Sequence, residues 1–539
     1  MKATVERIAA IASLFWVLAG NRPFFAAALQ GRPIAEPGTW GWLLALAALV
    51  FAIHFLLLLL LSNRWTVKPV VAVLMLVTAS SSYFMQSYGI VLDPTMVRNV
   101  LRTDVAEARE LLGWGLATHL ALYAGLPLLL LWRVKVVQRP WRAAAGWRAG
   151  ALAGALVLAA GALMSVFQPM ASMMRNHKEM RYLVTPANVL WSTASVLGRD
   201  ARGATVAKRP LGEDAVHRAP PRPQVLVLVV GETVRAANWG LSGYARPTTP
   251  ELARLPVINF PDVTACGTNT EVSVPCLFAP VGRRDYDEER IRGSESLLHL
   301  LARAGVAVTW RDNQSGCKGV CDGLPTESLP ELNPPGLCAD GRCLDEGLLV
   351  GLDERLARAQ GTQVLVLHML GNHGPSYFRR YPPAFARFQP VCESDDLRQC
   401  STEQIVNAYD NAILYTDHML ARLVEKLQAA SARGVDTAML FVSDHGESLG
   451  EKGLYLHGLP YAVAPREQTQ VPMVLWLSEP WAQHAALDLG CLRERAARPA
   501  AHDHVFHTVL GLLDVGTSVL DPAWDLTAPC RGQRVARQP

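Results

Sequence analysis

The sequence predicts a membrane domain of five transmembrane helices, followed by an α/β domain with a mostly parallel sheet. Up to about Phe167, five stretches are apolar over the roughly 20 residues that a helix needs to cross a bilayer. After Phe167, apolar runs of strand length alternate with helical patterns, which indicates a parallel sheet covered by helices. At 539 residues the chain is long enough for both parts.

The first part is predicted to span the membrane near Ile8–Leu29, Trp42–Ser62, Pro69–Tyr88, Trp114–Trp132 and Ala149–Phe167. Asn21, Arg22 and Pro23 interrupt the first span. Because lipid cannot satisfy polar groups, we expect these residues to face protein or a wet cavity. A cleavable signal peptide is a weaker interpretation, since no convincing small-residue cleavage site precedes the second span.

The distribution of Lys and Arg predicts the orientation of the spans. With the N-terminus in the cytoplasm, the segments on that side carry Lys2, Arg7, Arg64, Lys68, Arg133, Lys135, Arg139, Arg142 and Arg148. The first outer loop carries only Arg32. This asymmetry obeys the positive-inside rule, and an odd number of spans then places everything after Phe167 outside the cytoplasm.

The cysteines indicate the same compartment independently. All ten lie between Cys266 and Cys530, and an even number confined to one domain suggests disulfides and an oxidising environment. Free buried thiols or a structural zinc site are the alternative, which the absence of paired C-x-x-C modules in the sequence disfavours.

The second part begins after residues 199–223, whose Arg, Ala and Pro content is typical of a linker. Strands are predicted at Gln224–Val230, Val306–Trp310, Gln363–Leu367, Thr437–Val442 and Pro472–Leu477, and helices at Ser296–Ala304, Leu344–Ala359 and Thr402–Ala429. We therefore predict three regions: a five-helix transmembrane domain at 1–168, a bridging helix and linker at 169–223, and an α/β domain at 224–539.

Polar residues follow four of the predicted strands. They are Glu232 after the first strand, Asp312, Ser315 and Lys318 after the second, His373 after the third, and Asp444 with His445 after the fourth. Ligands of open parallel sheets bind outside the carboxyl ends of the strands. We therefore expect these side chains to share one site.

The expected site has the ligand types that zinc accepts. Glu232, Asp444, His445, His373 and His457 offer oxygen and nitrogen atoms, although each alone is also typical of a helix cap, a surface charge or a buried polar group. The net charge of +4 is small for this length, which argues against a nucleic-acid partner.

A candidate nucleophile lies in CGTNTEVSVPC, between Cys266 and Cys276, which holds hydroxyls at Thr268, Thr270 and Ser273. A hydroxyl is a poor nucleophile near neutral pH unless a metal lowers its pKa. The metal, Lys318 and the histidines would stabilise charge on a phosphoryl oxygen. The residues thus predict metal-assisted phosphoryl or sulfuryl transfer through a covalent intermediate.

Six motifs make the chain resemble the lipid A phosphoethanolamine transferases, the family that includes the mobile colistin-resistance enzymes. They are VVGETVRAANWGLSGY, CGTNTEVSVPC, RDNQSGCKGVCD, GNHGPSY, YDNAILYTD and SDHGESLGEKGLYLHG, in the family's order. The resemblance covers essentially the whole chain and implies an alkaline-phosphatase/sulfatase-like second domain. It also implies transfer of phosphoethanolamine from phosphatidylethanolamine to a lipid A phosphate, with resistance to polymyxin and colistin.

The resemblance implies roles for individual residues. Zinc would be held by Glu232, Thr270, Asp444 and His445, with Thr270 rather than Thr268 carrying phosphoethanolamine; a second zinc stays open. Ser315, Lys318, His373 and His457 fall at positions that bind phosphate, the donor headgroup or a second zinc. Either His373 or His457 would protonate the departing diacylglycerol.

Asn99, Thr103 and Glu107 match family positions implicated in holding the phosphatidylethanolamine headgroup. Their i, i+4, i+8 spacing places them on one face of a predicted helix. A plain amphipathic helix at the interface is the alternative.

The resemblance also bears on the cysteines and on Glu271. Cys266–Cys276 and Cys392–Cys400 match family disulfides, while Cys317–Cys321, Cys338–Cys343 and Cys491–Cys530 follow from proximity and from pairing the remainder. Glu271 stands where the family usually has a small alanine. A carboxylate beside Thr270 would repel phosphate or contribute to the metal site.

We expect a monomeric, multi-pass protein of a bacterial inner membrane, in contact with membrane lipids and with its catalytic domain in the periplasm. Three other functions stay open: transfer to Kdo, heptose or another envelope glycan; glycerolphosphate polymerisation of the lipoteichoic acid type; and a non-catalytic, membrane-anchored binding protein. The dense disulfides and the motifs weigh against the polymerase, and the intact ligand set weighs against the binding protein.

Overall fold

A computed structural model describes residues 1–30, 32–103, 105–203, 207–339 and 341–532. The chain divides into two compact units. One consists of Met1–Arg98 and Leu111–Arg199, and the other of Asn99–Glu110 and Asp200–Pro539. The predicted boundaries at residues 168 and 223 stay predictions.

Four helices of the first unit are long and apolar enough to cross a membrane: Pro37–Leu61, Val67–Tyr88, Trp114–Trp132 and Trp141–Ser165. A fifth candidate consists of Val5–Gly20 and Arg22–Ala28, which meet at an angle of 59°. Further helical segments that begin in this unit are Pro94–Arg102, Phe167–Asn176, Lys178–Leu183 and Ala187–Gly203, and the first and last of them end in residues of the second unit. The structure thus agrees with the predicted α-helical membrane domain, with the first span bent.

The bend in the first span falls at Asn21, one of the predicted interrupting residues. The Asn21 amide donates to the carbonyls of Trp16 and Thr185, each at 2.9 Å, and its oxygen accepts the Thr185 amide at 2.8 Å. The side chain is fully buried. Its polar atoms are therefore satisfied by protein, as a break in a helix at membrane depth requires.

The last span begins at Trp141, earlier than the predicted Ala149. The additional residues read WRAAAGWR, which is rich in alanine and arginine. Both residue types favour a helix, whereas arginine and tryptophan are suited to the membrane interface rather than its core. Hydropathy located the apolar part of the helix and missed its polar extension.

An eight-stranded sheet forms the centre of the second unit. Its strands are β1 Gln224–Gly231, β2 Ile258–Thr264, β3 Ala307–Asp312, β4 Thr326–Ser328, β5 Thr362–His368, β6 Asp436–Ser443, β7 Gln470–Leu477 and β8 Ala500–Ala501. Their order across the sheet is β8-β2-β7-β6-β1-β5-β3-β4. Only β7 of these strands runs opposite to the others, so the predicted mostly parallel sheet is confirmed.

The central strand β1 is buried on both faces. Leu226, Leu228 and Val230 belong to one hydrophobic core, and the alternate residues of the strand belong to the core on the other face. This is why the strand reads as a continuous apolar run rather than an alternating one. The α-helices of the unit are Val105–Glu110, Thr270–Leu277, Glu288–Arg292, Leu297–Arg303, Leu329–Leu332, Leu352–Ala357, Thr402–Ala432, Arg466–Thr469, Glu479–His484, Leu489–Ala496 and Asp503–Leu512.

Several elements of this unit differ from the prediction, among them the short strands β4 and β8, which were not predicted. The continuous helix predicted at Leu344–Ala359 is wrong: a 3-10 segment, Asp345–Leu349, and a short helix, Leu352–Ala357, meet at Gly351, whose φ of +71° breaks the helix. Strand β2 was not predicted, because its sequence INFPDVT contains a proline, which usually argues against a strand.

Candidate active site

Thr270 is the first residue of the helix Thr270–Leu277. The side chain of the preceding residue, Asn269, caps this helix by accepting the Val272 amide at 3.0 Å. Thr270 is only 2% exposed. The hydroxyl thus lies at a helix N-terminus, where free amides and the helix dipole favour an anion such as a phosphoryl group.

The predicted metal ligands meet around this hydroxyl. Ligand atoms of Glu232, Asp444 and His445 lie within 4.8 Å of one another, and all three residues are buried. Thr270 Oγ1 is 3.2 Å from Glu232 Oε2 and 3.5 Å from His445 Nε2. The structure therefore brings together all four residues of the predicted set, from the ends of β1 and β6 and from the nucleophile helix.

Asp444 and His445 are each held by hydrogen bonds to one side-chain atom, so the other side-chain atom faces the cluster. Asp444 Oδ1 accepts the amides of Thr233 at 3.2 Å and His445 at 2.7 Å, whereas the buried Oδ2 has no hydrogen-bond partner among the described residues. His445 Nδ1 donates to the Gly446 carbonyl at 2.9 Å. Its Nε2 therefore faces the cluster, 3.4 Å from Glu232 Oε1 and 3.3 Å from Asp444 Oδ2. These carboxylate oxygens and this imidazole nitrogen fit a divalent cation, and zinc sites in proteins use the same types of ligand atom.

The electrostatics of the cluster lead to the same conclusion. Burial, and then the nearby charge of Glu232, raise the pKa of Asp444 above its ordinary value. Two carboxylates in a dry site are unfavourable unless a positive charge compensates them. His445 supplies part of that compensation: burial raises the pKa of Glu232, but the hydrogen bond and charge of His445 outweigh burial and lower this pKa to about 2. A bound cation would supply more.

Two glycines allow the backbone to approach this closely. A Cβ on Gly446, next to His445, would lie 2.1 Å from the carbonyl oxygen of Glu467. A Cβ on Gly371, in the loop that leads to His373, would lie 2.5 Å from the carbonyl oxygen of Glu232. Any larger residue at either position would displace a ligand-bearing turn.

His373 and His457 lie beside the cluster but have opposite charge states. The ring centroids of His457 and His445 are 4.3 Å apart, and those of His457 and His373 are 5.4 Å apart. Burial lowers the pKa of His373, but Glu107 at 2.8 Å and then Glu232 outweigh it and raise this pKa to about 10. Burial and the neighbouring histidines lower the pKa of His457 well below its ordinary value. His373 is therefore the protonated one.

Lys318 and Ser315, two further predicted site residues, contact each other. Lys318 Nζ donates to Ser315 Oγ at 2.5 Å and to its carbonyl at 3.1 Å. It is also 3.7 Å from Oε1 of Glu271, the residue after Thr270. The structure thus connects this pair to the nucleophile helix through Glu271.

The single helical face predicted for Asn99, Thr103 and Glu107 is wrong. One helix ends at Arg102 and the next begins at Val105, while residue 104 lies outside the described residues. The Thr103 hydroxyl donates to the Asn99 carbonyl at 2.8 Å, a back-bond that tends to bend helices. Glu107 nevertheless reaches the site through His373.

All ten cysteines form the five predicted disulfides: Cys266–Cys276, Cys317–Cys321, Cys338–Cys343, Cys392–Cys400 and Cys491–Cys530. Cys266–Cys276 encloses Thr270 in its loop. Cys317–Cys321 holds Lys318 in a second short loop. The disulfides thus constrain the loops that carry two of the predicted site residues.

Glu447 and His502 also lie around the site, although no separate pattern in the sequence predicts them. Glu447 is buried 3.4 Å from His457 Nδ1, and burial is the main reason why its pKa is raised to about 8. His502 accepts the Cys266 amide at 3.1 Å through Nδ1 and donates to the Ser443 carbonyl at 2.9 Å through Nε2. His502 therefore links the nucleophile loop to β6, a long-range contact that no local motif reveals.

A buried hydroxyl beside a cluster that fits a metal ion, at the carboxyl edge of a mostly parallel sheet, is typical of sulfatase-like hydrolases and transferases. Residues 224–515 match the sulfatase family, and residues 50–201 match a family described as phosphoethanolamine transferase EptA/EptB. Similar proteins and one solved structure match this chain over almost its full length. The chain belongs to the family of phosphoethanolamine transferases that includes EptA.

Three proteins illustrate this similarity. Phosphoethanolamine transferase EptA of Escherichia coli K12 is 37% identical, covering 97% of this chain and 96% of its own length. Phosphatidylethanolamine transferase Mcr-1 of Escherichia coli is 38% identical, covering 94% of each chain. The structure of the integral membrane lipooligosaccharide phosphoethanolamine transferase A from Neisseria meningitidis superposes with a TM-score of 0.93 at 36% identity, covering 98% of this chain and 99% of that one.

A relative with lower sequence identity is named as a different phosphoethanolamine transferase. Kdo(2)-lipid A phosphoethanolamine 7''-transferase of Escherichia coli K12 is 27% identical, covering 87% of this chain and 86% of its own length. The higher identity and coverage of the EptA and Mcr-1 proteins favour them as guides to the function of this chain.

Proposed function

We propose that this protein transfers phosphoethanolamine from phosphatidylethanolamine to a lipid A phosphate through a covalent intermediate on Thr270. The main observation is the position of the buried Thr270 hydroxyl, 3.2 Å from Glu232 Oε2 in a cluster that fits a metal. The names of the similar proteins support phosphoethanolamine as the transferred group, and the lipooligosaccharide enzyme supports a lipid A-containing acceptor.

The first half of the reaction moves the group from the donor to the enzyme. Zinc held by Glu232, Asp444, His445 and Thr270 would lower the pKa of the hydroxyl and neutralise charge on the phosphoryl oxygens. Glu232 accepts the hydrogen bond of Thr270 and orients its oxygen for attack on phosphorus. The bond from phosphorus to the diacylglycerol oxygen then breaks, and His373 supplies the proton to that oxygen.

Electrostatics support His373 rather than His457 in this acid role. The ion pair with Glu107 keeps His373 protonated, whereas His457 is neutral because burial and its cationic neighbours lower its pKa. In the second half of the reaction, a lipid A phosphate oxygen attacks phosphorus and Thr270 departs. Lys318 would stabilise the anionic groups that meet there.

We propose that the spans place this site in the periplasm of a Gram-negative bacterium, next to the inner membrane. Both proposed substrates are membrane lipids, so a catalytic domain next to the membrane can reach them. The basic residues of the cytoplasmic loops support this orientation. Disulfides at all ten cysteines support an oxidising compartment.

Reporter fusions test this topology. We expect fusions after Lys68 and Arg142 to behave as cytoplasmic, and fusions after Arg32, Arg102 and Gly203 to behave as periplasmic. Paired alkaline phosphatase and fluorescent protein reporters give opposite signals in the two compartments. A cytoplasmic signal from the fusion after Gly203 would overturn the proposed location.

A second prediction concerns the proposed donor residues Asn99 and Glu107. Replacing either with alanine should increase KM for phosphatidylethanolamine about tenfold or more, the effect of losing one charge-assisted hydrogen bond. Glu107→Ala should also lower kcat, because His373 then loses the carboxylate that keeps it protonated.

Donor kinetics with a fluorescent phosphatidylethanolamine measure these effects, and metal analysis provides the control. Zinc content should stay unchanged, since neither residue belongs to the metal cluster. Unchanged donor kinetics in both variants would favour the alternative, a plain interfacial segment.

A further inference from the structure

Residues 99–110, here called the arm, belong to the second unit although they lie within the N-terminal part of the sequence. Charged residues of the arm contact the rest of this unit at two places: the nucleophile helix and the region around His373. Arg102 contacts Glu271 at 3.1 Å, while Glu107 contacts His373 at 2.8 Å. Glu110 contacts Arg380 at 2.6 Å and Arg342 at 2.9 Å.

At the second place, near His373, a buried ion pair and a hydrogen bond hold the arm. The side chains of Glu110 and Arg380 are 1% and 2% exposed, and Arg380 Nε donates to the His373 carbonyl at 2.7 Å. The C-terminal end of the arm is therefore held at the His373 loop. Its N-terminal end is the last part of the helix Pro94–Arg102 and makes a different contact, the one between Arg102 and the nucleophile helix.

Glu271 is the nucleophile-helix residue of that contact and directly follows Thr270. Its side chain is 1% exposed, and a buried carboxylate is costly unless cations surround it. Arg102 and Arg292 each lie 3.1 Å from Oε2, and Lys318 lies 3.7 Å from Oε1. Arg292 also donates to the Glu271 backbone carbonyl. Three cations thus neutralise one carboxylate, so Glu271 does not leave a net negative charge beside the nucleophile.

We propose that Glu271 is a positioning residue that holds the arm at the nucleophile helix through Arg102. The contact ends one residue from Thr270, and the same helix turn carries the link to Lys318. Glu271 would thereby set the position of the arm's Asn99 end relative to the attacking hydroxyl. The catalytic consequence rests on the proposed function, because it requires the arm to hold the donor headgroup.

This proposal and simple charge repulsion predict opposite changes in donor affinity. If Glu271 positions the arm, Glu271→Gln loosens the Arg102 contact and raises KM for phosphatidylethanolamine. If Glu271 only repels the donor phosphate, the same neutralisation lowers KM. Glutamine retains the size of the side chain, so a change in packing is minimised.

Hydrogen exchange of the full-length protein tests the anchoring itself, whether or not transfer occurs. We expect amides of residues 99–110 to exchange about tenfold faster in Arg102→Ala and in Glu271→Gln, because both variants weaken the charge-assisted contact between Arg102 and Glu271. Asp200→Ala is the matched control: it removes the other partner of Arg102, at 3.2 Å, in a pair that is more than one-third exposed on both sides. Exposed pairs contribute little, so exchange should stay at the wild-type rate.

Donor kinetics complete the test. KM for phosphatidylethanolamine should rise about tenfold in Arg102→Ala and in Glu271→Gln, with kcat within about twofold of wild type in Arg102→Ala. The double variant should show no further rise in KM, because both changes remove the contact between Arg102 and Glu271. Wild-type exchange and KM in both single variants, or a lower KM in Glu271→Gln, would overturn the proposal. If Glu271→Gln fails to fold, the partly exposed Arg102→Ala carries the test alone. Absence of transfer by the wild-type protein would refute the proposed function, while the exchange result would still decide the anchoring.

Discussion

Replacing Thr270 with alanine should abolish phosphoethanolamine transfer, with a loss on the order of 10⁴-fold or more, as for other enzymes that lose their nucleophile. The reason is geometric: the Thr270 hydroxyl contacts both Glu232 and His445. Transfer to lipid A in detergent micelles measures the loss. Mass spectrometry of wild-type protein incubated with donor alone should locate phosphoethanolamine on a peptide that contains Thr270.

Thr268 provides the matched control for this variant, since it is also a buried threonine of the same disulfide-enclosed loop. Its hydroxyl donates to the Leu459 carbonyl at 2.6 Å. Thr268→Ala should therefore cost about 1 kcal/mol of stability, the typical contribution of one hydrogen bond, and retain much of the activity. Phosphoethanolamine found on Thr268 or Ser273 would refute the assignment of the nucleophile.

Expression in a polymyxin-sensitive Gram-negative host should add phosphoethanolamine to lipid A and raise polymyxin resistance. Lipid A phosphates are anionic and attract the cationic peptide, whereas a zwitterionic cap reduces the negative charge and weakens this attraction. Mass spectrometry of extracted lipid A and the inhibitory concentration of polymyxin measure the two effects.

Loss of a metal ligand should block modification and resistance together. Glu232→Ala and His445→Ala each remove one of the four proposed zinc ligands, and zinc chelation should have the same effect on the wild-type protein. Metal content of the purified variants separates loss of zinc from loss of the fold. Phosphoethanolamine on Kdo or heptose with unmodified lipid A would retain the reaction but change the acceptor. No modified envelope component, despite folded and zinc-loaded protein, would refute the transferase function.

Much of the fold could be predicted from local patterns. The strand β1 is apolar along its whole length because residues on both of its faces enter a core. The membrane helices are recognisable because an apolar run must exceed the thickness of the lipid. The bend in the first span was also indicated locally, by Asn21 and the proline that follows two residues later.

The metal cluster could be predicted because parallel strands end at the same edge of a sheet. Glu232 and Asp444 follow neighbouring strands, β1 and β6, and this topology brings them together. The contacts of the arm could not be predicted in this way. Arg102 and Glu271 are 169 residues apart in the sequence, and neither periodicity nor strand order relates them.

The disulfides have a consequence for the maturation of the protein. Four of the five close loops between cysteines only 4 to 10 residues apart, and none of these four connects the strands of the central sheet. The sheet can therefore assemble before thiol oxidation is complete, whereas the loops around Thr270 and Lys318 are constrained only afterwards. A cell with impaired thiol oxidation should accumulate a folded chain whose catalytic loops are poorly ordered. Measured protein abundance would then overstate the amount of working enzyme.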